Sequence, residues 1–401
     1  MYFWETIFFI SCFVVFYNYA GYAILAWLFN SCKMPFKKNR TAHAAYTPTV
    51  TFIVAAYNEE DFIEKKIINS LQQDYPAGKI EYIFITDGST DSTPEIIRRY
   101  PALQLLHEEE RKGKSAALNR VSEVAKHDIL IFSDANTFLN AEATRNIARH
   151  YSDPRTGGVA GEKKVIPLEG NADEVGAGEG FYWKYESFLK RVDSEFYSVV
   201  GAAGELFSLR RELFEALPDN VILDDFVISL KVAEKGYRVV YEPDAYAMES
   251  PSFSLADEHK RKIRIAAGGF QAIGMLWPLL LFWKRPALSF LYISHRVLRW
   301  TLSPLCFITA FLSNLVLFFR PGGIFGILFM AQLLFYVLAI AGQVTHSQSM
   351  PKILKLPSYF VFMNVSVVQG FFRFLKGKQA ATWEKAKRAQ PSPSRPLVHE
   401  E

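Results

Sequence analysis

"LQLLHEEERKGKSAALNRVSEVAKHDILIFSDAN", residues 103–136, decides how the chain folds. An apolar run opens it as a strand, a helix follows from about Lys114 to Ala125, and a second apolar run ends at Ser133. The same grammar stands upstream. "KIEYIFITDGSTDSTPEIIRRY" (79–100) gives a strand to Ile85, a polar turn, and a helix with Pro94 in its first turn. "TPTVTFIVAAYNEEDFIEKKIINSLQQ" (47–73) gives a strand over Val50–Ala55 and a helix with Asn58 as its N-cap. Ile63, Ile67 and Leu71 recur there at helical spacing. Strands alternating with helices predict an α/β domain whose parallel sheet is covered by helices on both faces. Ligands of such sheets bind beyond the carboxyl ends of the strands. Those ends carry Tyr57-Asn58-Glu59, Asp87-Gly88-Ser89 and Asp134-Ala135-Asn136.

Outside this region the composition changes. The 401 residues are 50% hydrophobic, and the apolar excess gathers at both ends. Residues 3–29 contain one charge, Glu5, and exceed the roughly 20 residues needed to cross a bilayer. Positive residues follow this segment (Lys33, Lys37, Lys38, Arg40), unlike the basic start of a signal peptide. By the positive-inside rule it is an anchor that leaves residue 40 in the cytoplasm. Residues 297–319 and 322–344, joined at Arg320-Pro321, read as a transmembrane hairpin. Residues 356–375 carry Asn364, Gln369 and Arg373 and read as re-entrant or interfacial, and Lys284-Arg285-Pro286 breaks the run at 275–294. The expected organisation is an anchor (1–32), a cytoplasmic α/β domain (45–250) and amphipathic interfacial helices (251–294). A hairpin (295–345), a further membrane or re-entrant segment (346–376) and a basic, disordered cytoplasmic tail (377–401) follow. The net charge of +4 without basic, aromatic-interleaved patches excludes a nucleic-acid binder. Cys12, Cys32 and Cys306 form no zinc-type spacing or disulfide framework.

The site chemistry follows from what the strand ends hold. Neither G-x-x-x-x-G-K-[ST] nor G-x-G-x-x-G occurs to cradle phosphate. A nucleotide held among carboxylates needs a divalent cation, and hard oxygen ligands such as Asp134 suit Mg2+ or Mn2+. Asp224-Asp225 opens a later helix, where an acid serves either as a cap or as a base.

"AAYNEE" (55–60), "TDGSTD" (86–91), "GKSAALN" (113–119), "SDAN" (133–136), "GAAGELFSLRRELF" (201–214) and "LDDFVISLKVAEKGYRVVYEP" (223–243) together resemble the family-2 glycosyltransferases. The resemblance covers about 200 residues and implies the GT-A fold, a Rossmann-like mixed sheet. With the flanking apolar segments, it is similar to the branch that makes hyaluronan, cellulose and poly-N-acetylglucosamine. It implies a membrane-bound inverting enzyme of the inner or plasma membrane that moves a sugar from a nucleotide-sugar, a UDP-sugar, to a glycan or lipid-linked acceptor. Other polysaccharide-assembly proteins would be its partners. Residue by residue, the resemblance gives Ala56, Tyr57, Glu59, Asp87, Lys114 and Asp134 to the nucleotide-sugar. Asp134 and Asn136 take the metal motif, with Asn136 where the family often has a second acid, and Thr86 replaces another frequent Asp. Lys112 stands with Lys114 where basic side chains approach the diphosphate. Gly204, Glu205 and Asp224 fall on the acceptor side, and Asp225 matches the general base. Arg261 and Arg264 in "RKIRI" (261–265) match the downstream Q-x-x-R-W position better than "RVLRW" (296–300), which is further from Asp225. A single-addition transferase on a polyprenyl-linked acceptor and a non-catalytic membrane protein are the alternatives.

Overall fold

The computed structural model describes residues 2–33, 46–165, 173–250, 254–320, 323–344, 352–377 and 379. The disordered tail expected at 377–401 falls almost wholly outside the described residues, as do Lys37, Lys38 and Arg40. The chain divides into two compact units: a helical one (Met1–Met34 with Glu258–Gln379) and an α/β one built around Pro35–Asp257.

The helical unit opens with α1 (Tyr2–Phe16) and α2 (Tyr22–Lys33), linked through a π-helical turn at Tyr17–Gly21. Together Tyr2–Cys32 is long and apolar enough to cross a membrane.

In the α/β unit, β1 (Val50–Ala56) leads to α3 (Ile63–Leu71), and β2 (Ile80–Asp87) leads to α4 (Thr93–Arg98). Next come β3 (Gln104–Glu108), α5 (Lys114–Val124), β4 (Ile129–Asp134), β5 (Phe138–Leu139) and α6 (Ala143–Ala148). The second half holds β6 (Thr156–Val165), α7 (Asp173–Phe196), β7 (Leu206–Arg210), α8 (Asp224–Glu234) and β8 (Arg238–Glu249). The sheet order is β3-β2-β1-β4-β7-β6-β8-β5. Every residue of β1 is buried, as a central strand of a doubly covered sheet must be. Phe52, Ile63, Ile67, Phe84 and Ile131 build the core on one face.

The parallel strands read from the alternation form one half of the sheet, and the sheet as a whole is mixed, as the resemblance implies. Strands β3, β2, β1 and β4 are parallel, but β7 runs antiparallel to β4 and β6 antiparallel to β7. The reversal matters for the site: Ser133 pairs with Leu206, so β7 begins where β4 ends. Asn58 is not the N-cap of α3 either. It has φ 53°, its Oδ1 accepts the Thr90 amide at 2.8 Å, and the helix starts four residues beyond the expected cap's neighbour, at Ile63. A side chain that ties two strand-end loops together cannot also cap a helix.

The remaining helices are α9 (Leu255–Met275), α10 (Pro286–Tyr292), α11 (Leu298–Trp300), α12 (Leu302–Phe318), α13 (Ile324–Val344) and α14 (Lys352–Leu375). The first arm of the expected hairpin is bent: Pro286–Trp300 meets Leu302–Phe318 at 52°. The stretch at 356–375 lies within one continuous helix, of which Leu354–Leu375 is long and apolar enough to span. In "RVLRW" Trp300 is buried against Gly269, where a Cβ would meet the indole at 2.8 Å. That tryptophan is a packing residue of the helical unit.

Candidate active site

The carboxyl ends of β1, β2 and β4, the start of α5, the start of β7 and the start of α8 meet at one corner of the α/β unit. Two neighbouring regions can be distinguished there.

The first is a narrow, open cleft lined by Ala55, Ala56, Tyr57, Ile85, Asp87, Arg111, Gly113, Lys114 and Ala117. Asp87 organises its floor. Its Oδ2 accepts the Gly113 amide at 2.6 Å and the Lys112 amide at 3.1 Å, and its Oδ1 faces Arg120 at 3.4 Å. The carboxylate thus fixes the turn that launches α5 and aims Lys114. The Arg111 guanidinium lies over the Tyr57 ring at 3.7 Å from its centre, a cation–π contact that stiffens the opposite wall. Ala56, Tyr57, Asp87 and Lys114 line one cleft. Glu59 is not among the lining residues; its backbone ties the start of α3, its carbonyl accepting the Phe62 and Ile63 amides and its amide donating to Thr93 Oγ1 at 2.8 Å.

The second region is a charge cluster around Gly204. A Cβ added there would lie 3.1 Å from Lys114 Nζ, 3.2 Å from Asp225 Oδ2 and 3.5 Å from Asp134 Oδ2. A methyl there would press on the Lys114 and Asp225 side-chain ends, which would have to give by a few tenths of an ångström. Lys114 Nζ bonds Asp134 Oδ1 at 2.6 Å and stands 4.0 Å from Asp224 Oδ2. Burial alone would push the lysine down, but the fields of Asp134, Asp224 and Asp225 outweigh it and hold Lys114 above the ordinary lysine value. Burial and the adjacent Asp224 carboxylate push Asp225 up to about 7, against the pull of Lys114 and the Phe226 amide. Asp224 stands in the first turn of α8, whose N-cap residue is Leu223, and its Oδ2 accepts no hydrogen bond. Glu205 is held by Lys163, which also pairs with Glu249.

Of the two lysines expected near a diphosphate, Lys114 is in the cluster. Lys112 is half-exposed and pairs with Glu110 at 3.4 Å. Arg261 and Arg264 belong to α9 in the helical unit, where Arg261 Nε bonds Glu258 Oε2 at 3.1 Å. The reading from sequence missed Arg111, Arg120 and Lys163. Arg111 was within reach, one residue before Lys112 in "RKGK"; Arg120 and Lys163 carry no motif.

Among the described residues no three His, Cys, Asp or Glu side chains gather into a metal cage. Asp134 nevertheless offers a partly exposed carboxylate, and a small divalent cation binds through one or two carboxylates plus substrate phosphates. The donor set fits a cation carried mainly by a diphosphate.

Residues 51–217 match the family model described as Glycosyl transferase family 2. The chain carries a family-2 glycosyltransferase domain. The match takes in the strand ends, Lys114 and Gly204 of the corner just described, while Asp224 and Asp225 lie beyond it. Among curated relatives, the poly-beta-1,6-N-acetyl-D-glucosamine synthase of Staphylococcus aureus (strain MSSA476) is 28% identical over 234 residues, 56% of this chain and 55% of the relative. The synthase of the same name from Staphylococcus epidermidis is 24% identical over 271 residues, covering 65% and 64%. The chain spans about half the length of the first of these relatives. Among solved structures, a mannosyltransferase from Pyrobaculum calidifontis in complex with GDP-Man and Mn2+ superposes with TM-score 0.71 at 24% identity, covering 94% of this chain and 99% of that one. This likeness shows the fold: a GT-A domain with helices apolar enough to span a membrane flanking the family-2 glycosyltransferase sequence.

Proposed function

We propose that the protein is a membrane-bound inverting glycosyltransferase that moves a sugar from a nucleoside diphosphate sugar, with a UDP-sugar as the expected donor, to a hydroxyl of a glycan or lipid-linked acceptor. The observation that carries the reading is the convergence of Lys114, Asp134 and Asp225 on Gly204 beside the Tyr57–Asp87 cleft. The cleft takes the base, and the cluster lies where a diphosphate and the anomeric carbon would follow.

Asp225 is the general base. A sugar hydroxyl is a weak nucleophile, and a carboxylate poised near neutral pH accepts its proton effectively during attack. Attack on the face opposite the leaving diphosphate inverts the anomeric centre and gives a β-linkage from an α-donor. Lys114 holds fixed positive charge at the diphosphate, where negative charge grows as the glycosidic bond breaks. Asp134, with Asn136 beside it, would hold a divalent cation, Mg2+ or Mn2+, which supplies Lewis acidity to the leaving diphosphate. The assignment of Arg261 and Arg264 to the same diphosphate rests on the family resemblance alone, and a cytoplasmic location of the domain rests on the positive residues that follow the first apolar segment.

Membranes containing the chain, incubated with a panel of UDP- and GDP-sugars in Mn2+, test the reading. Transfer of label to a glycan or lipid fraction from one donor, abolished in Asp225→Asn, is the expected result. Nucleotide-sugar binding without transfer from any donor would favour the non-catalytic alternative.

A further inference from the structure

Lys66 lies in the middle of α3 with its side chain fully buried. Its Nζ donates to Ser133 Oγ at 2.7 Å and to the Thr137 carbonyl at 2.8 Å, and stands 5.8 Å from the centre of the Phe52 ring. A buried lysine with only neutral partners is costly, and burial draws it down to about 7 while Asp134 pulls it back up. Such an expense is justified by what the two bonds hold. Ser133 and Thr137 bracket Asp134-Ala135-Asn136. Thr137 Oγ1 bonds the Asp134 carbonyl at 3.0 Å, and Ser133 Oγ donates to the Glu205 carbonyl at 3.1 Å.

Successive residues of a strand point to opposite faces. Ser133 therefore meets Lys66 on one face while Asp134 meets Lys114 on the other. The end of β4 is gripped from both sides.

We propose that Lys66 is a positioning residue, holding the Asp134 turn and the Gly204–Glu205 segment in register from behind the sheet so that Asp134 faces the diphosphate and its cation. The inference rests on the functional reading above. Groups behind a metal ligand that fix its orientation commonly matter about 10- to 100-fold to metal affinity.

The test is calorimetric titration of UDP and of GDP into the detergent-solubilised full chain, once in Mn2+ and once in EDTA. The chains are wild type, Lys66→Met and Ser133→Ala, with thermal unfolding of each recorded. In wild type Mn2+ tightens binding of at least one nucleotide. Lys66→Met should lose about tenfold of that Mn2+-dependent gain while binding in EDTA stays close to wild type. Its unfolding temperature should fall modestly, because methionine fills the space of the lysine stem but leaves the Thr137 carbonyl and the Ser133 hydroxyl without their buried donor. A lowered unfolding temperature with the Mn2+ gain intact would make Lys66 a structural residue and overturn the proposal, as would no change in either. If Lys66→Met does not fold, Ser133→Ala decides: a smaller loss of the Mn2+ gain supports the proposal, and an unchanged gain overturns it. Wild type that binds neither nucleotide overturns the functional reading and this inference with it. Wild type that binds while both variants match it overturns the Lys66 inference alone.

Discussion

Replacing Asp225 by asparagine removes a charge and almost nothing else. The side chain keeps its shape, the carbonyl oxygen can still accept the Phe226 amide, now 2.8 Å away, and repulsion from Asp224 disappears. The fold should tolerate the change or gain from it, whereas the acceptor proton loses its destination. General-base catalysis contributes about a hundred- to ten-thousand-fold, so turnover should fall by that factor with nucleotide binding retained. The wild-type pH profile supplies an independent reading of the same residue. With Asp225 at about 7, kcat/KM should bend near neutrality. Below it, about a tenth of the base remains ionised one pH unit down and about a hundredth two units down. An ordinary aspartate would leave the rate flat to about pH 4. Lys114 opposes the rise of Asp225, so Lys114→Met should move the bend of its residual activity to higher pH. The assay is initial-rate transfer in native membranes, from pH 5 to 9, with the donor identified by the nucleotide-sugar panel. A profile that stays flat from pH 9 down to 5, or an Asp225→Asn enzyme retaining more than about a tenth of wild-type turnover, would remove Asp225 as the base.

Gly204→Ala puts a methyl among Lys114, Asp225 and Asp134; a misplacement of about 1 Å costs about a hundredfold in rate, and the shift needed here is smaller, so kcat should fall by less than that while the unfolding temperature changes little. Asn136→Asp restores a second acid beside Asp134; the Mn2+ concentration for half-maximal transfer should drop several-fold, and an unchanged value would exclude position 136 from the cation's surroundings. Glu242, buried between Arg149 at 2.6 Å and His150 at 2.5 Å, is lowered because these hydrogen bonds outweigh its burial. Its depressed folded pKa makes its stabilisation complete above the ordinary glutamate value and lost as pH falls through the folded one. Glu242→Gln should destabilise by about 3 kcal/mol near neutrality, with the gap in thermal unfolding closing in acid.

The strand and helix identities of residues 50–134 were legible because burial on both faces leaves continuous apolar runs, and turn chemistry separates them. The site was legible as a set of carboxylates at strand ends, since that is where a parallel sheet opens. Lys112 and Lys114 could not be told apart in "GKSAALN" and its preceding residues, because their difference lies in where α5 begins. Gly113 binds Asp87 and turns Lys114 inward, leaving Lys112 with Glu110 at the surface. Lys66 was hidden more deeply. Between Lys65 and Ile67 it reads as one more charge on an amphipathic helix, and only the packing of α3 beneath β4 makes it a buried donor.

The sequence by itself determined the alternating half of the sheet, the apolar flanks and the carboxylates gathered at its strand ends, because each is written in local periodicity and local motif. The tertiary structure alone decided the antiparallel entry of β7, which carries Gly204 and Glu205 to the end of β4. It also decided the two-sided grip of Lys66 and Lys114 on that end and the elevation of Asp225. These depend on which distant segments share a few ångströms of low-dielectric space, and no local pattern encodes that distance.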